Sequence, residues 1–156
     1  MNDHYLVYSG AIFWDYPHWH NNFYPADIPH EWLLSYYNTC FKTVYLPWQK
    51  WKTVSDAEIA QWLEDTRASF RFLIEAGTDE NETQRCREKF AGRALVVTPS
   101  WADRHLLWLP AKPDLRALAK RITEHANLGR PLFAISREGD LNALEQVGTL
   151  LQVLGY

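Results

Sequence analysis

Short apolar runs alternate with segments of helical period along most of this chain, and that alternation restricts the fold more than any other feature. Runs at residues 5–13, 43–47, 70–76, 93–98 and 131–136 have strand length and are nearly continuous in apolar residues. Strands buried on both faces read this way. A helix opens at Asp27 or Pro29 with Trp32, Leu33, Tyr36, Tyr37 and Cys40 on its apolar face. Ser55 and Glu58 form an S-x-x-E capping box ahead of a helix reaching about Thr66, with Ile59, Trp62 and Leu63 turned inward. Residues 79–90 are polar and read as a solvated helix. Asp114 caps a helix over 115–127 bearing Leu115, Leu118, Ala119, Ile122 and Ala126 on one face, with Gly129 as its stop. A last helix spans 141–154, with Leu144, Val147, Leu151 and Leu154 toward the core. Two segments are less regular. Residues 48–53 read as a loop with two exposed tryptophans, Trp48 and Trp51, and 99–113 offers only a short strand at 105–109 between turns at Pro99 and Pro110. The alternation calls for an α/β fold built on a mostly parallel sheet of five or six strands with right-handed crossovers.

With 156 residues, 47% of them hydrophobic and 22% charged, the chain is long and apolar enough to bury a core. No linker or repeat divides it, so residues 1–156 are expected to form a single domain. A net charge of −3 leaves no electrostatic footprint for nucleic acid, and Lys50 with Lys52 reads as solvated surface. Cys40 and Cys86 fall in different predicted helices without metal-ligand spacing, as reduced thiols of a cytoplasmic protein do. The first ten residues lack a secretory pattern and no run approaches membrane-span length. A cytoplasmic location with no membrane partner is the expectation.

Candidate chemistry concentrates after the first strand. Asp15, His18 and His20 form D-x-x-H-x-H, with His4 and His30 nearby. Imidazole and carboxylate suit a divalent metal such as zinc, but the spacing matches no closed motif, so ordinary surface or packing roles are the preferred reading and no cofactor is expected. Glu75 ends a buried strand, where α/β sheets place functional groups, and is the candidate acid or base. Its alternative role, and the preferred reading, is a structural ion pair with Arg71 or another cation. Ser9-Gly10 lacks the G-x-S-x-G pattern of a nucleophile elbow, and Gly10 reads as a point of close backbone approach. Trp14, Tyr16, Trp19, Trp48 and Trp51 follow the first two strands, so parallel topology brings them to one sheet edge. They would form either a stacking surface for a small ligand or, the preferred reading, a subunit interface.

Several motifs occur in the order found in the YecE-like family, domain of unknown function 72, which this chain resembles over roughly its first 76 residues. The pieces are Ser9-Gly10, Tyr16 with Trp19, Phe23-Tyr24-Pro25, Phe41-Lys42-Thr43-Val44 and Phe70-Arg71-Phe72. From Arg130 onward, Asn142-Ala143 and the apolar segment after it are similar to the family's closing strand and helix. The resemblance implies a barrel of alternating strands and helices. Such a barrel takes roughly 250 residues, so it implies here a truncated TIM-type barrel, with an open three-layer α/β sandwich as the alternative because five strands close a barrel with difficulty. The family's polar positions on its second, third and last strands are replaced by Tyr45, Pro47, Glu75, Ser136 and Arg137.

These readings combine into a non-catalytic homologue that binds a small molecule or assembles with itself through its aromatic N-terminal loops. The ligand-binding candidates are Ser9, Trp14, Tyr16, Trp19, Tyr45 and Trp48, and the expected partners are a second copy of the chain and a small-molecule ligand. The competing reading is a metal-assisted hydrolase using Asp15, His18, His20 and Glu75.

Overall fold

A computed structural model describes residues 5–156. His4, among the histidines noted above, lies outside the described residues. Six strands are present among the described residues: β1 (Val7–Ala11), β2 (Thr43–Leu46), β3 (Arg71–Glu75), β4 (Ala94–Val97), β5 (Leu106–Leu109) and β6 (Leu132–Ser136). Seven α-helices accompany them among the described residues: α1 (Leu33–Cys40), α2 (Trp48–Trp51), α3 (Asp56–Asp65), α4 (Glu80–Glu88), α5 (Pro99–His105), α6 (Leu115–Leu128) and α7 (Leu141–Leu154). The fold is α/β, as the alternation required.

The strands form two three-stranded sheets, β1-β6-β5 and β2-β3-β4, and every pairing is parallel. An isolated parallel bridge between Ile12 and Tyr45 joins them. No pairing links β4 to β5 among the described residues, so the barrel-like course is open and no closed barrel forms. Helix α5 connects these two free edges directly and packs on β4, β5 and β6. Successive strand residues face opposite sides, and both sides are filled. Tyr8, Tyr45, Leu73, Val97, Leu106, Phe133 and Ile135 bring all six strands into one inner cluster, with Trp101 and Ala102 of α5 against it. Their neighbours in sequence, among them Val7, Val44, Phe72, Val96 and Ala134, pack instead in or against the larger cluster with the helices.

The seam between the sheets is closed by unusual means. Lys42 N–H donates to the Ser9 carbonyl at 3.2 Å and Phe13 N–H to the Tyr45 carbonyl at 2.9 Å. Between these two bonds, the buried Tyr37 hydroxyl accepts from Ala11 N–H at 2.8 Å and donates to the Thr43 carbonyl at 2.6 Å. A phenol thus stands in for ladder hydrogen bonds. Gly10 makes this approach feasible, because a Cβ there would lie 2.0 Å from the Thr43 carbonyl oxygen and 2.6 Å from the Tyr37 oxygen.

Local signals explain most boundaries. Both hydrogen bonds of the Ser55–Glu58 capping box are present. Asp79, Asp114 and Asp140 cap α4, α6 and α7 with their carboxylates, and Gly129 and Gly155 end α6 and α7 in the left-handed region. Four expectations are corrected. Leu154, in the last turn of α7, is exposed and does not face the core. Residues 48–53 are not an irregular loop: Trp48–Trp51 is a helical turn following Pro47, and Trp51 is only 3% exposed. Trp32 and Cys40 do not belong to the buried face of α1, whose inward residues are Leu33, Leu34 and Tyr37. The chain enters α1 through a 3-10 turn, His30–Trp32, whose three residues per turn shift the helical phase. Within 99–113, α5 precedes the strand, with Thr98 capping it through Trp101 N–H and Pro99 in its first turn.

Candidate functional site

The aromatic loop after β1 is held by the body of the protein. Trp14 is 5% exposed, stacks on Phe13 at 4.0 Å and meets Trp62 edge-on at 5.0 Å, and its carbonyl accepts from the Tyr24 hydroxyl. Trp19 is fully buried, and its indole N–H donates to the Gly139 carbonyl at 2.7 Å. His18 Nε2–H donates to the same carbonyl at 2.9 Å. The Tyr16 ring covers Gly139, and its hydroxyl donates to the Ile12 carbonyl. Gly139 sits at φ +63° in the turn between β6 and α7, where a Cβ would come within 2.8 Å of the Tyr16 ring. Trp14, Trp19 and Trp51 therefore form no exposed stacking or interface surface. Burying large rings against distant partners contributes more stability than leaving them in water.

The metal candidates separate. His20 Nε2 pairs with Asp15 Oδ1 at 2.7 Å and His30 Nε2 lies 3.8 Å from Asp15 Oδ2, whereas His18 is committed to Gly139. Among the described residues, no three His, Cys, Asp or Glu side chains are grouped to hold a metal ion.

Ser9 lies on the helix-covered face of β1, at a groove of about 550 Å³ shared by the end of α1 and by α7. Phe23, Phe41, Leu144, Gly148 and Leu151 line it as well. No hydrogen bond or ion pair among the described residues joins its polar side chains Ser9, Lys42, Glu145 and Gln152, and the Lys42 ammonium rests on the Tyr5 ring at 3.8 Å. Volume without converging polar groups gives little specificity.

Converging groups occur instead at the C-terminal ends of the strands. Glu75 ends β3; its Oε1 accepts from Trp48 N–H at 3.0 Å and its Oε2 from the Tyr45 hydroxyl at 3.3 Å. The Glu75 carbonyl accepts from the Trp51 indole N–H at 2.9 Å. Arg71, proposed above as its ionic partner, stands at the other end of β3, about 13 Å away at the usual strand rise. Glu75 is thus held by neutral donors. Burial, followed by the Glu75 charge, pushes the Tyr45 phenol well above its ordinary pKa, with Arg137 acting in the opposite direction. Tyr45 is accordingly a fixed donor. Its ring meets Trp108 of β5 at 5.2 Å, and the Arg137 guanidinium, just beyond β6, lies over Trp108 at 3.7 Å. Trp48 is half-buried and donates its indole N–H to Glu82 at 2.9 Å. Phe13 bounds the rim on the β1 side at φ +57°, a left-handed conformation costly for a bulky residue. Such strain collects at functional sites.

Tyr45, Trp48 and Glu75 are therefore brought together, while Ser9, Trp14, Tyr16 and Trp19 lie elsewhere. The sequence marks Trp108 only as part of a short strand and Arg137 only as a changed family position. Their approach joins residues 29 apart in sequence, and no local pattern announces it.

The family described as "Protein of unknown function DUF72" matches residues 8–96. This chain belongs to the DUF72 family. No curated protein and no solved structure matches it. The match runs from β1 into β4, so Tyr45, Trp48 and Glu75 are within it. Trp108 and Arg137 lie beyond it, as does the resemblance read from Arg130 onward.

Proposed function

We propose that this DUF72 chain binds a small molecule at the C-terminal rim of its strands and does not catalyse. The observation carrying this reading is that Tyr45, Glu75, Trp108 and Arg137, from four different strand ends, form one contiguous rim. Parallel α/β sheets present ligand sites at such ends. Both Glu75 oxygens already accept donors from the chain, one of them the Tyr45 hydroxyl, whose raised pKa disfavours the phenolate, and no serine, threonine or cysteine side chain hydrogen-bonds to Glu75 among the described residues. The geometry thus supports recognition over acid–base chemistry, and it gives no support to a hydrolase linking Asp15, His18, His20 and Glu75. Free Cys40 and Cys86 fit a reducing compartment, as cytoplasmic placement would supply.

Ligand-observed NMR against hexoses, nucleosides, amino acids, carboxylates and phosphates tests the proposal. At least one class should bind, and Trp48→Leu or Trp108→Leu should weaken it at least tenfold while the far-UV spectrum is retained. Binding unaffected by both substitutions, or none from any class, would remove it.

Self-assembly remains a second reading, on a different surface from the N-terminal loops. Leu128 is 64% and Val153 76% exposed, near the ends of α6 and α7. Exposed apolar residues on neighbouring helices fit association between copies. Sedimentation equilibrium should give a dimer that Val153→Glu dissociates; a monomer at high concentration would exclude it.

A further inference from the structure

Arg137, just beyond β6, presents a cation at the rim whose donors are unused among the described residues. The central carbon of its guanidinium lies over the Trp108 ring, 3.7 Å from the ring centroid. Among the described residues it makes no hydrogen bond and no ion pair, not even with Glu138 beside it in sequence. Stacking engages the face of a guanidinium and leaves its five N–H donors in the plane, arranged as a fork. The stacked face also limits side-chain freedom, so less entropy is lost when the fork is engaged. Trp108 is itself fixed against Tyr45, and Tyr45 against Glu75, so the cation stands on a supported ledge.

The neighbouring acidic groups do not answer this cation. Glu75 takes Trp48 N–H and the Tyr45 hydroxyl, and Glu82 takes the Trp48 indole. Lys50 and Lys52, after β2, lie over Phe13 at 4.8 Å and Trp48 at 4.3 Å, also without ion pairs among the described residues. An unpaired fork stacked on an aromatic ring, on a rim that also carries Lys50 and Lys52, matches a planar or tetrahedral oxyanion, which it can bind in bidentate fashion.

We propose that Arg137, on its Trp108 ledge, recognises an oxyanion of the ligand, a carboxylate or a phosphate. This rests on the reading that the rim is the ligand site, and deepens it by naming the ligand's charge and the residue that meets it. Lys50 and Lys52 contribute attraction at longer range, and Arg137 supplies the directional contact.

The test is a fluorine-NMR titration of protein labelled with 5-fluorotryptophan, with the Trp108 resonance assigned from Trp108→Phe. Inorganic phosphate and acetate are titrated separately at constant ionic strength, with chloride as the control. Phosphate, acetate or both should move the Trp108 resonance saturably, and the anion that does so identifies the source. Arg137→Gln should raise the dissociation constant at least tenfold, and Arg137→Lys, which keeps the charge but loses the fork, should be intermediate. If neither anion moves Trp108 beyond the chloride response, or if Arg137→Gln changes the constant less than twofold, the proposal is overturned. A neutral solute bound in the ligand screen and lost in Trp108→Leu would leave the rim reading intact while this one fails.

Discussion

Replacing Tyr37 with Phe removes one oxygen atom and tests how the two sheets are joined. The ring remains and keeps its packing against Phe41 at 4.9 Å and Phe70 at 6.2 Å. What disappears is the hydroxyl that accepts from Ala11 N–H and donates to the Thr43 carbonyl, in a side chain with no exposure. Two buried backbone groups lose their partner, each at a cost of about 1–3 kcal/mol. Since the lost hydroxyl no longer has to be desolvated, the net loss falls at about 2–4 kcal/mol. At about 2–4 °C per kcal/mol for a chain of this size, melting should fall by roughly 5–15 °C. Urea unfolding followed by far-UV circular dichroism measures it, with an unchanged slope expected because the surface exposed is the same. Tyr36→Phe is the control: that residue is half-buried, and its hydroxyl makes no hydrogen bond among the described residues. A change of about 0.5 kcal/mol is the most expected there. A Tyr37→Phe loss no larger than the control's would refute the argument that the phenol closes the seam.

Gly10→Ala should destabilise by about 3 kcal/mol or more, since its Cβ would meet the backbone oxygen of Thr43 at 2.0 Å and the strands must part; chemical denaturation checks it. Ser55→Ala removes the side-chain acceptor of Glu58 N–H and should cost about 1 kcal/mol, read the same way. Stability should decline in alkali. Burial raises Cys86 from 9.0 to about 11 and Tyr16 from 10.0 to about 12. A raised folded value means the native chain retains a proton that the unfolded chain releases. The contribution is therefore complete below pH 9 and is lost as pH rises through 9–11 for Cys86 and 10–12 for Tyr16. Melting temperatures measured from pH 8 to 12 should hold and then fall, and a rise across that window would contradict the assignment.

Local features of the sequence translated well into structure, and long-range ones did not. The Ser55–Glu58 box, the Asp114 cap and the 141–154 helix were legible because each depends on residues within a few positions of one another. The strands were legible as apolar runs, though trimmed at their ends by loop hydrogen bonds. Helix α5 escaped notice because its seven residues show no apolar period, although Thr98-Pro99 is a start signal. The burial of Trp14 and Trp19 is not legible locally, because the groups that bury them, Trp62 and Gly139, are distant in sequence. Tyr45 and Glu75 were singled out as altered family positions, but their hydrogen bond depended on β2–β3 register. Arg137 on Trp108 depended on the pairing of β5 with β6, which no nearby residue encodes.

Residue-resolved amide NMR in the presence of inorganic phosphate, acetate and a neutral hexose tests the central claim, that ligand recognition resides at the strand-end rim. The account predicts that saturable shifts gather at Tyr45, Trp48, Glu75, Trp108 and Arg137 for at least one of these probes. Shifts gathered instead around Ser9, Phe41 and Gly148 in the groove beside α7, or no response at the rim to any probe, would contradict it.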